Sequence, residues 1–223
     1  MIIIENLRCR NLAIDALTIR PGITSVIGTN GSGKTTFLKL CAGILMPDTG
    51  EVMIDCVHPR NTEVGWVNEF PDRNLLFVNV FDEIASSLRF RLTPCNSIDA
   101  SVHACARSMG ITHLLDRRVL DISGGEKVLV SLAAALVHCP KVLILDDYDS
   151  HLDAGSVALV EQQIRTSGAE YVIRCTQQMD TAIRSDHLLF FDCGRITHEG
   201  TPQQVIPSLI GTAWYPVLWR CKN

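Results

Sequence analysis

The chain has 223 residues, a length typical of one domain with at most a subdomain. Hydrophobic residues make up 47% of it and charged residues 20%, a composition that excludes disordered and fibrous proteins. The net charge is −4 and no basic arm or patch is visible, so nucleic acid is not an expected partner.

We expect no leader peptide, no membrane span and no disulfide framework. The first ten residues, MIIIENLRCR, lack a basic region followed by an apolar core. The longest apolar stretch, residues 128–137, is too short to cross a bilayer. The nine cysteines are odd in number and form no CxxC pair, which is typical of reduced thiols in a cytosolic protein. A role at a membrane would therefore require a partner.

The first 70 residues predict short strands around one helix. Residues 34–44 show helical periodicity, and a turn is expected at residues 47–50, where Pro, Asp and Gly cluster. The predicted strands are residues 1–7, 24–27, 51–54 and 64–67.

Residues 72–120 differ from the rest, because they carry helical patterns and few strand signals; candidate helices are residues 80–88, 98–109 and 112–116. From Ser123 onward, helices and strands alternate again. The helices are predicted at residues 126–138 and 157–166, and the strands at 142–145, 171–175, 187–192 and 195–199, the last two as a hairpin. This rhythm predicts an α/β fold, a parallel sheet flanked by helices with a mainly helical insert.

A phosphate-binding loop is predicted directly after the second strand. The sequence GTNGSGKT matches G-x-x-x-x-G-K-[ST], with an apolar strand before it and a helix after it. Glycines let backbone N–H groups approach phosphates, Lys34 would reach the β- and γ-phosphates, and the Thr35 hydroxyl would ligate Mg²⁺. A glycine turn that only caps a helix would leave both side chains unexplained. The predicted ATP-binding residues are Gly28, Thr29, Asn30, Gly31, Ser32, Gly33, Lys34, Thr35 and Thr36.

Two carboxylates follow a strongly apolar strand at residues 142–145. Ligands of open α/β sheets bind at the C-terminal ends of parallel strands, where these side chains are expected to lie. Asp146 is placed to hold Mg²⁺ through water, and Asp147 to orient an attacking water. Acidic residues often begin loops, but together with the phosphate loop the pair indicates a nucleotide site.

A third motif, ISGGEK, lies between the helical insert and a helix. Ser123 and Glu126 have the spacing of a capping box for that helix. Ser123 and the N–H groups of Gly124 and Gly125 also offer an anion site, which would face the γ-phosphate held by another molecule. The two interpretations are compatible.

In order and spacing, these motifs resemble those of the ATP-binding subunits of ABC transporters. ISGGE at residues 122–126 and LILDD at residues 143–147 are followed by SHLD at residues 150–153, which resembles the family's D-loop and contains Asp153. The resemblance covers essentially the whole chain. Residues 64–72 and 80–85 further resemble the cobalt and energy-coupling-factor type, which drives vitamin or metal-ion uptake.

The resemblance implies one ABC ATPase domain over residues 1–223. Its fold would be that of an α/β P-loop NTPase, with a RecA-like core, a mixed sheet with flanking helices, and a helical subdomain. Residues 1–68 and 122–223 would form the nucleotide-binding core, and residues 69–121 the helical subdomain.

The resemblance also implies a head-to-tail dimer, either homodimer or heterodimer, with two ATP molecules between the subunits. Each ATP would contact one phosphate loop and the partner's signature, Ser123 to Glu126, and Mg²⁺ would be bound by Thr35, Asp146 and Glu69. An integral membrane transport subunit would dock on the helical subdomain, with residues 69–85 as the docking surface. The chain would then be cytoplasmic and peripheral on the inner face of the membrane, and ATP-driven solute import is the expected function.

Three family positions are altered in this sequence. Asp147 stands where a glutamate is expected, and misplacing a catalytic group by about 1 Å can cost ~100-fold in rate. Gln177 replaces a histidine, and its amide can hydrogen-bond a phosphate but cannot carry a positive charge. Glu69 replaces a glutamine; it could ligate Mg²⁺ but would repel the γ-phosphate. The usual adenine-stacking aromatic residue is also missing from residues 7–12. The candidates there are Arg8, Cys9, Arg10 and Asn11, and the plane of an arginine could substitute weakly.

These changes predict a chain that binds Mg-ATP and hydrolyses it slowly. Two alternatives stay open. One is a homodimer in which Asp147 is a modest base. The other is a catalytically degenerate subunit, an ATP-dependent clamp or regulatory subunit, whose signature completes a partner's active site. A soluble ABC ATPase of DNA repair or translation is disfavoured by the single short domain and the acidic charge. A phosphate-loop kinase would leave the ISGGE segment without a role.

Overall fold

Two β-sheets and the helices around them make up residues 1–70, 75–150 and 152–216, which the computed structural model describes. The strands are β1 (Ile2–Cys9), β2 (Leu12–Ile19), β3 (Gly22–Gly28), β4 (Thr49–Ile54), β5 (Val64–Val67), β6 (Val142–Asp146), β7 (Tyr171–Cys175), β8 (His187–Asp192) and β9 (Arg195–Gly200). The α-helices are α1 (Lys34–Cys41), α2 (Val80–Phe90), α3 (Cys95–Ser108), α4 (Gly124–Leu136), α5 (Ala154–Thr166), α6 (Met179–Ala182) and α7 (Pro202–Val205). Within these ranges, no helix combines the length and the apolar character that a membrane crossing requires.

The larger sheet has six strands in the order β5-β6-β7-β3-β8-β9. All neighbours are parallel except β8 and β9, which form the predicted antiparallel hairpin. The expected mixed sheet with flanking helices is therefore confirmed. Every residue of β6 and β7 is buried, as is typical of parallel strands that are covered on both faces.

A separate antiparallel sheet has the order β2-β1-β4, and the sequence patterns did not predict β2. The apolar side chains of β2 change face at Asp15 and Ala16, which are both exposed, so the strand lacks simple alternation. One face of this sheet packs over α1 and the larger sheet, in a core that includes Ile4, Phe37 and Ile144. β4 begins at Thr49, inside the predicted turn.

Four of the predicted helices are present as α2 to α5, with ends displaced by at most three residues. The helix predicted at residues 34–44 ends at Cys41, because Gly43 adopts a φ of +70°. The helix predicted at residues 112–116 is wrong. Only a 3₁₀ turn, Thr112–Leu114, forms there, because Gly110 ends the preceding helix and leaves a segment too short for a stable α-helix.

The helical part and the sheets share one core. Ile84 of α2 and Val102 of α3 belong to the same cluster of buried side chains as Leu129 of α4 and Leu145 of β6. α2 and α3 both fall within residues 69–121; the division of the chain into a core and a helical subdomain at those bounds stays a prediction.

A fully buried ion pair connects the larger sheet to α5. The guanidinium of Arg174 on β7 contacts Glu161 of α5, which also accepts a hydrogen bond from the Tyr148 hydroxyl. Arg174 further donates to the Ser25 hydroxyl at 2.9 Å and to the Thr181 carbonyl at 2.6 Å. One side chain thus joins β3, β7, α5 and α6.

We expect Arg174→Leu to lower the free energy of unfolding by about 3–5 kcal/mol, because it leaves the Glu161 carboxylate buried without its cation. Urea denaturation measures this. Arg107→Leu, an exposed position on α3, is the control and is expected to change stability by less than about 0.5 kcal/mol. Equal effects of the two variants would contradict a structural role for the buried pair.

Candidate functional site

A cleft with a volume of about 400 Å³ lies at the C-terminal ends of the central strands. It brings together the phosphate loop and all three residues predicted to be catalytic, although these lie in four separate segments of the chain. The residues that line it are Asn11, Asn30, Gly31, Gly33, Lys34, Thr35, Thr36, Glu69, Asp147 and Gln177. Parallel pairing explains the convergence, because it places the ends of β3, β6 and β7 at one edge of the sheet.

The phosphate loop connects β3 to α1 in a conformation that only glycine permits at its first position. Gly28 has a φ of +141°, and a Cβ there would lie 2.0 Å from the carbonyl oxygen of Phe191. The loop then turns so that the N-terminus of α1 faces the cleft. Backbone N–H groups at a helix N-terminus attract phosphate, and α1 has no acidic residue in its first turn.

Lys34 is buried and its ammonium group lies against the loop. It donates hydrogen bonds of 2.9 Å to the carbonyls of Gly28 and Thr29. Of the other loop positions, Thr29 donates from its hydroxyl to Asp192 at 3.2 Å, and Ser32 is buried. The loop therefore holds a positive charge beside the N-terminus of α1, a combination that suits a polyphosphate.

Thr35 and Asp146 form the pair that would hold a divalent cation. The Thr35 hydroxyl donates to Asp146 at 3.2 Å. Burial raises the pKa of the Asp146 carboxyl, as do the charges of Asp147 and Glu69, whereas the Thr35 hydrogen bond lowers it. Asp146 is buried, whereas Thr35 is exposed and Glu69 is half-buried, so an ion could reach the pair from the cleft. Hydroxyl and carboxylate oxygens are ligands that fit Mg²⁺.

Asp147 faces the cleft in an unusual backbone conformation, with a φ of +47°. Both of its carboxylate oxygens accept hydrogen bonds of 3.3 Å, one from the thiol of Cys175 and one from the amide of Gln177. Its own N–H donates to the Cys175 carbonyl at 3.1 Å. The carboxylate is thus directed by neighbours on both sides.

The segment after Asp147 is fixed to the one that carries Gln177. Asp149 is buried and accepts a 2.6 Å hydrogen bond from the Thr176 hydroxyl, and its carbonyl accepts one of 2.8 Å from the Gln178 amide. Burial raises the pKa of Asp149. These contacts fix the segment that follows Asp147 relative to the segment that carries Gln177.

Asp153, the predicted D-loop residue, is the N-cap of α5. Its carboxylate accepts hydrogen bonds from the N–H and the hydroxyl of Ser156, at 3.0 and 2.8 Å. These bonds lower the pKa of Asp153. His151, in the same predicted D-loop, lies outside the described residues.

The predicted signature is at the start of α4, away from the cleft. The capping box is confirmed, because Ser123 accepts from the Glu126 N–H at 3.3 Å and Glu126 accepts from the Ser123 N–H at 2.7 Å. Ser123 and Gly124 are exposed, and none of residues 123–126 lines the cleft. A role toward a second molecule stays a prediction.

The structure adds three residues that the motifs did not indicate. Asn11 lines the cleft and donates to the Gly31 carbonyl at 3.3 Å, in the region where an aromatic residue is missing. Cys175 and Asp149 contact predicted site residues or their neighbours. No sequence signal marked Cys175 beyond its place at the end of a strand.

Comparisons with known proteins identify the family to which the chain is similar. The family model described as "ABC transporter" matches residues 14–150. The energy-coupling factor transporter ATP-binding protein EcfA1 of Mycoplasmopsis pulmonis is 31% identical over 224 residues, which cover 92% of this chain and 84% of that protein. The biotin transport ATP-binding protein BioM of Rhizobium etli is 33% identical over 81% of this chain and 83% of its own length.

A solved structure shares the whole fold. CbiO1 of Clostridium perfringens, described as part of the ABC transporter complex cbiONQ, superimposes with a TM-score of 0.81 at 26% identity. The match covers 93% of each chain.

Two alanine substitutions at glycines of the phosphate loop are expected to destabilise the protein to different extents. Gly28→Ala forces a Cβ into the Phe191 carbonyl and should cost more than about 2 kcal/mol of stability. Gly31→Ala, with a φ of +77° and no atom within 4 Å of the added Cβ, should cost about 1 kcal/mol. Urea denaturation of both variants checks this, and a Gly28→Ala protein as stable as Gly31→Ala would contradict the described loop.

Proposed function

Because this chain belongs to the ABC transporter family of ATP-binding proteins, we propose that it couples ATP binding and slow hydrolysis to solute import through a membrane partner. The observation that carries the proposal is the cleft in which Lys34, the Thr35–Asp146 pair and Asp147 meet. The names of the relatives favour an importer of the energy-coupling-factor, biotin or cobalt type.

ATP would bind with its phosphates on the loop, facing the N–H groups of residues 31–36 and the Lys34 ammonium. Thr35 and Asp146, with Glu69 beside them, would hold Mg²⁺. When bound, that cation offsets the negative charge of the phosphate oxygens. The missing aromatic residue leaves most of the binding free energy to the phosphates, and the Asn11 side chain would lie beside the base or ribose.

Hydrolysis would use Asp147 to orient the attacking water. Gln177 holds this carboxylate, but its neutral amide adds no positive charge toward the γ-phosphate. Glu69 lines the same cleft and adds negative charge near the phosphate. The amide thus leaves the developing negative charge of the transition state without a cationic partner, and the Glu69 carboxylate repels that charge, so we propose that turnover is slow.

We propose that two such subunits, identical or different, close head to tail. Ser123 and Gly124 are exposed at the start of a helix, whose N–H groups favour an anion. They do not line the cleft of their own chain, and in a head-to-tail pair the signature of the second subunit would face that cleft.

The docking surface for the membrane subunit would lie beside the start of α2. Glu83 is buried and accepts hydrogen bonds of 2.8 Å from the N–H groups of Leu76 and Phe77, which holds the segment before α2 in place. Leu76, Val78 and Leu120 are 66–79% exposed, and the Val119 N–H donates to the Val78 carbonyl at 2.8 Å, so the two segments adjoin. Of the predicted docking segment, residues 71–74 lie outside the described ones.

The alternative is a degenerate subunit that binds ATP and completes a partner's active site. It is favoured by the same substitutions at Glu69 and Gln177, combined with an intact signature. The two functions differ in one measurable property, which is hydrolysis by the chain alone.

Turnover of Mg-ATP by the purified chain should exceed that of Lys34→Ala, which removes the loop's cation. We expect Asp147→Glu combined with Gln177→His to raise turnover by about tenfold or more, because it restores carboxylate reach and a charged donor. No increase would show that these positions do not limit the rate. ATP binding without any turnover would favour the degenerate subunit.

Charges placed on the docking surface should weaken membrane association. We expect Val78→Asp combined with Leu120→Asp to reduce the amount of protein that sediments with native membrane vesicles by roughly tenfold, with ATP affinity unchanged. Leu159→Asp, on the exposed face of α5, is the control. Equal losses in the control and the double variant would exclude this surface as the docking site.

A further inference from the structure

The thiol of Cys175 contacts Asp147 of the proposed hydrolytic site, although no motif includes this cysteine. Cys175 is the last residue of β7 and is fully buried. In the sheet it pairs with Asp146 of β6 on one side and with Val26 of β3 on the other. This pairing places the backbone of Cys175 next to Asp146, and therefore close to Asp147, the next residue along the chain.

Cys175 contacts Asp147 through both its backbone and its side chain. Its carbonyl accepts the Asp147 N–H at 3.1 Å, and its thiol donates to one carboxylate oxygen at 3.3 Å. The other oxygen accepts from the Gln177 amide, also at 3.3 Å. With one donor on each oxygen, the plane of the carboxylate is fixed, whereas a single donor would leave it free to rotate.

A residue with the backbone of Asp147 needs such support. A φ of +47° is unfavourable for a residue that has a Cβ, although aspartate tolerates it better than most. The side chain of Asp147 is also one methylene shorter than the glutamate of the family motif. Its carboxylate therefore has fewer positions from which it could orient the attacking water. The neutral thiol supplies a donor without adding charge next to the carboxylates.

We propose that Cys175 is a positioning residue that, together with Gln177, orients the Asp147 carboxylate toward the cleft. This inference rests on the proposed ATP hydrolysis. The Cys175 thiol can therefore affect the rate of hydrolysis only while the carboxylate at position 147 lies within hydrogen-bonding distance of it. In an Asp147→Glu background, the longer side chain carries its oxygens away from the thiol, and substitution of Cys175 should have little further effect.

The kinetic test compares Cys175→Ala, which removes the donor, with Cys175→Ser, which keeps one. We expect Cys175→Ala to lower kcat roughly three- to tenfold with KM for ATP changed less than about twofold, and Cys175→Ser to retain most of the activity. Cys41→Ala, which also truncates a buried thiol but one that lies in α1, is the matched control and should keep the wild-type kcat. Equal losses for the alanine and serine variants, or a loss that persists in the Asp147→Glu background, would overturn the proposal.

A second readout needs no turnover. The S–H stretching band of Cys175 is isolated in the infrared difference spectrum between the wild-type chain and Cys175→Ser. We expect this band to move to higher wavenumber in Asp147→Ala, which removes the acceptor, and to stay in place in Gln177→Ala. A band that does not respond to Asp147→Ala would overturn the inference. A responsive band in a chain that hydrolyses no ATP would support the contact and contradict the proposed hydrolysis instead.

Discussion

Parallel pairing of β3 with β7, and of β7 with β6, brings the phosphate loop, the two aspartates at residues 146 and 147, and Gln177 to one edge of the larger sheet. The three strands end at the same edge of the sheet, with Gly28, Cys175 and Asp146 as their last residues. The loops that leave this edge carry the phosphate loop, Asp147 and Gln177. A change in strand order would separate these groups, whatever their sequences, so the site depends on long-range pairing as much as on its motifs.

The site balances one buried cation against several carboxylates. Lys34 is the buried cation of the loop, and Asp146, Asp147 and Glu69 lie around it or across the cleft. Burial raises the pKa of Asp146, and the negative charges of Asp147 and Glu69 raise it further. The cleft is thus suited to receive Mg²⁺ and a polyphosphate together, because each offsets the charge that the other brings.

Features with a distinct local motif could be predicted, whereas irregular segments and contacts between distant segments could not. The phosphate loop and the capping box of Ser123 and Glu126 are local, and both are present. The fold class followed from the alternation of strands and helices. β2 was missed because its apolar residues change face midway, and a helix was predicted after Gly110 where only a 3₁₀ turn fits. The contact of Cys175 with Asp147 joins residues 28 positions apart, and no sequence pattern in either segment predicts it.

The central place of β3 also has a consequence for how the chain is made. Both neighbours of this strand, β7 and β8, come from residues 171–192, far along the chain from Gly22–Gly28. During synthesis the phosphate loop therefore emerges from the ribosome long before the strands that hold it. Until those strands arrive, β3, which is almost entirely buried in the folded protein, has neither of its pairing strands, and in this interval a chaperone could prevent the nascent chain from aggregating.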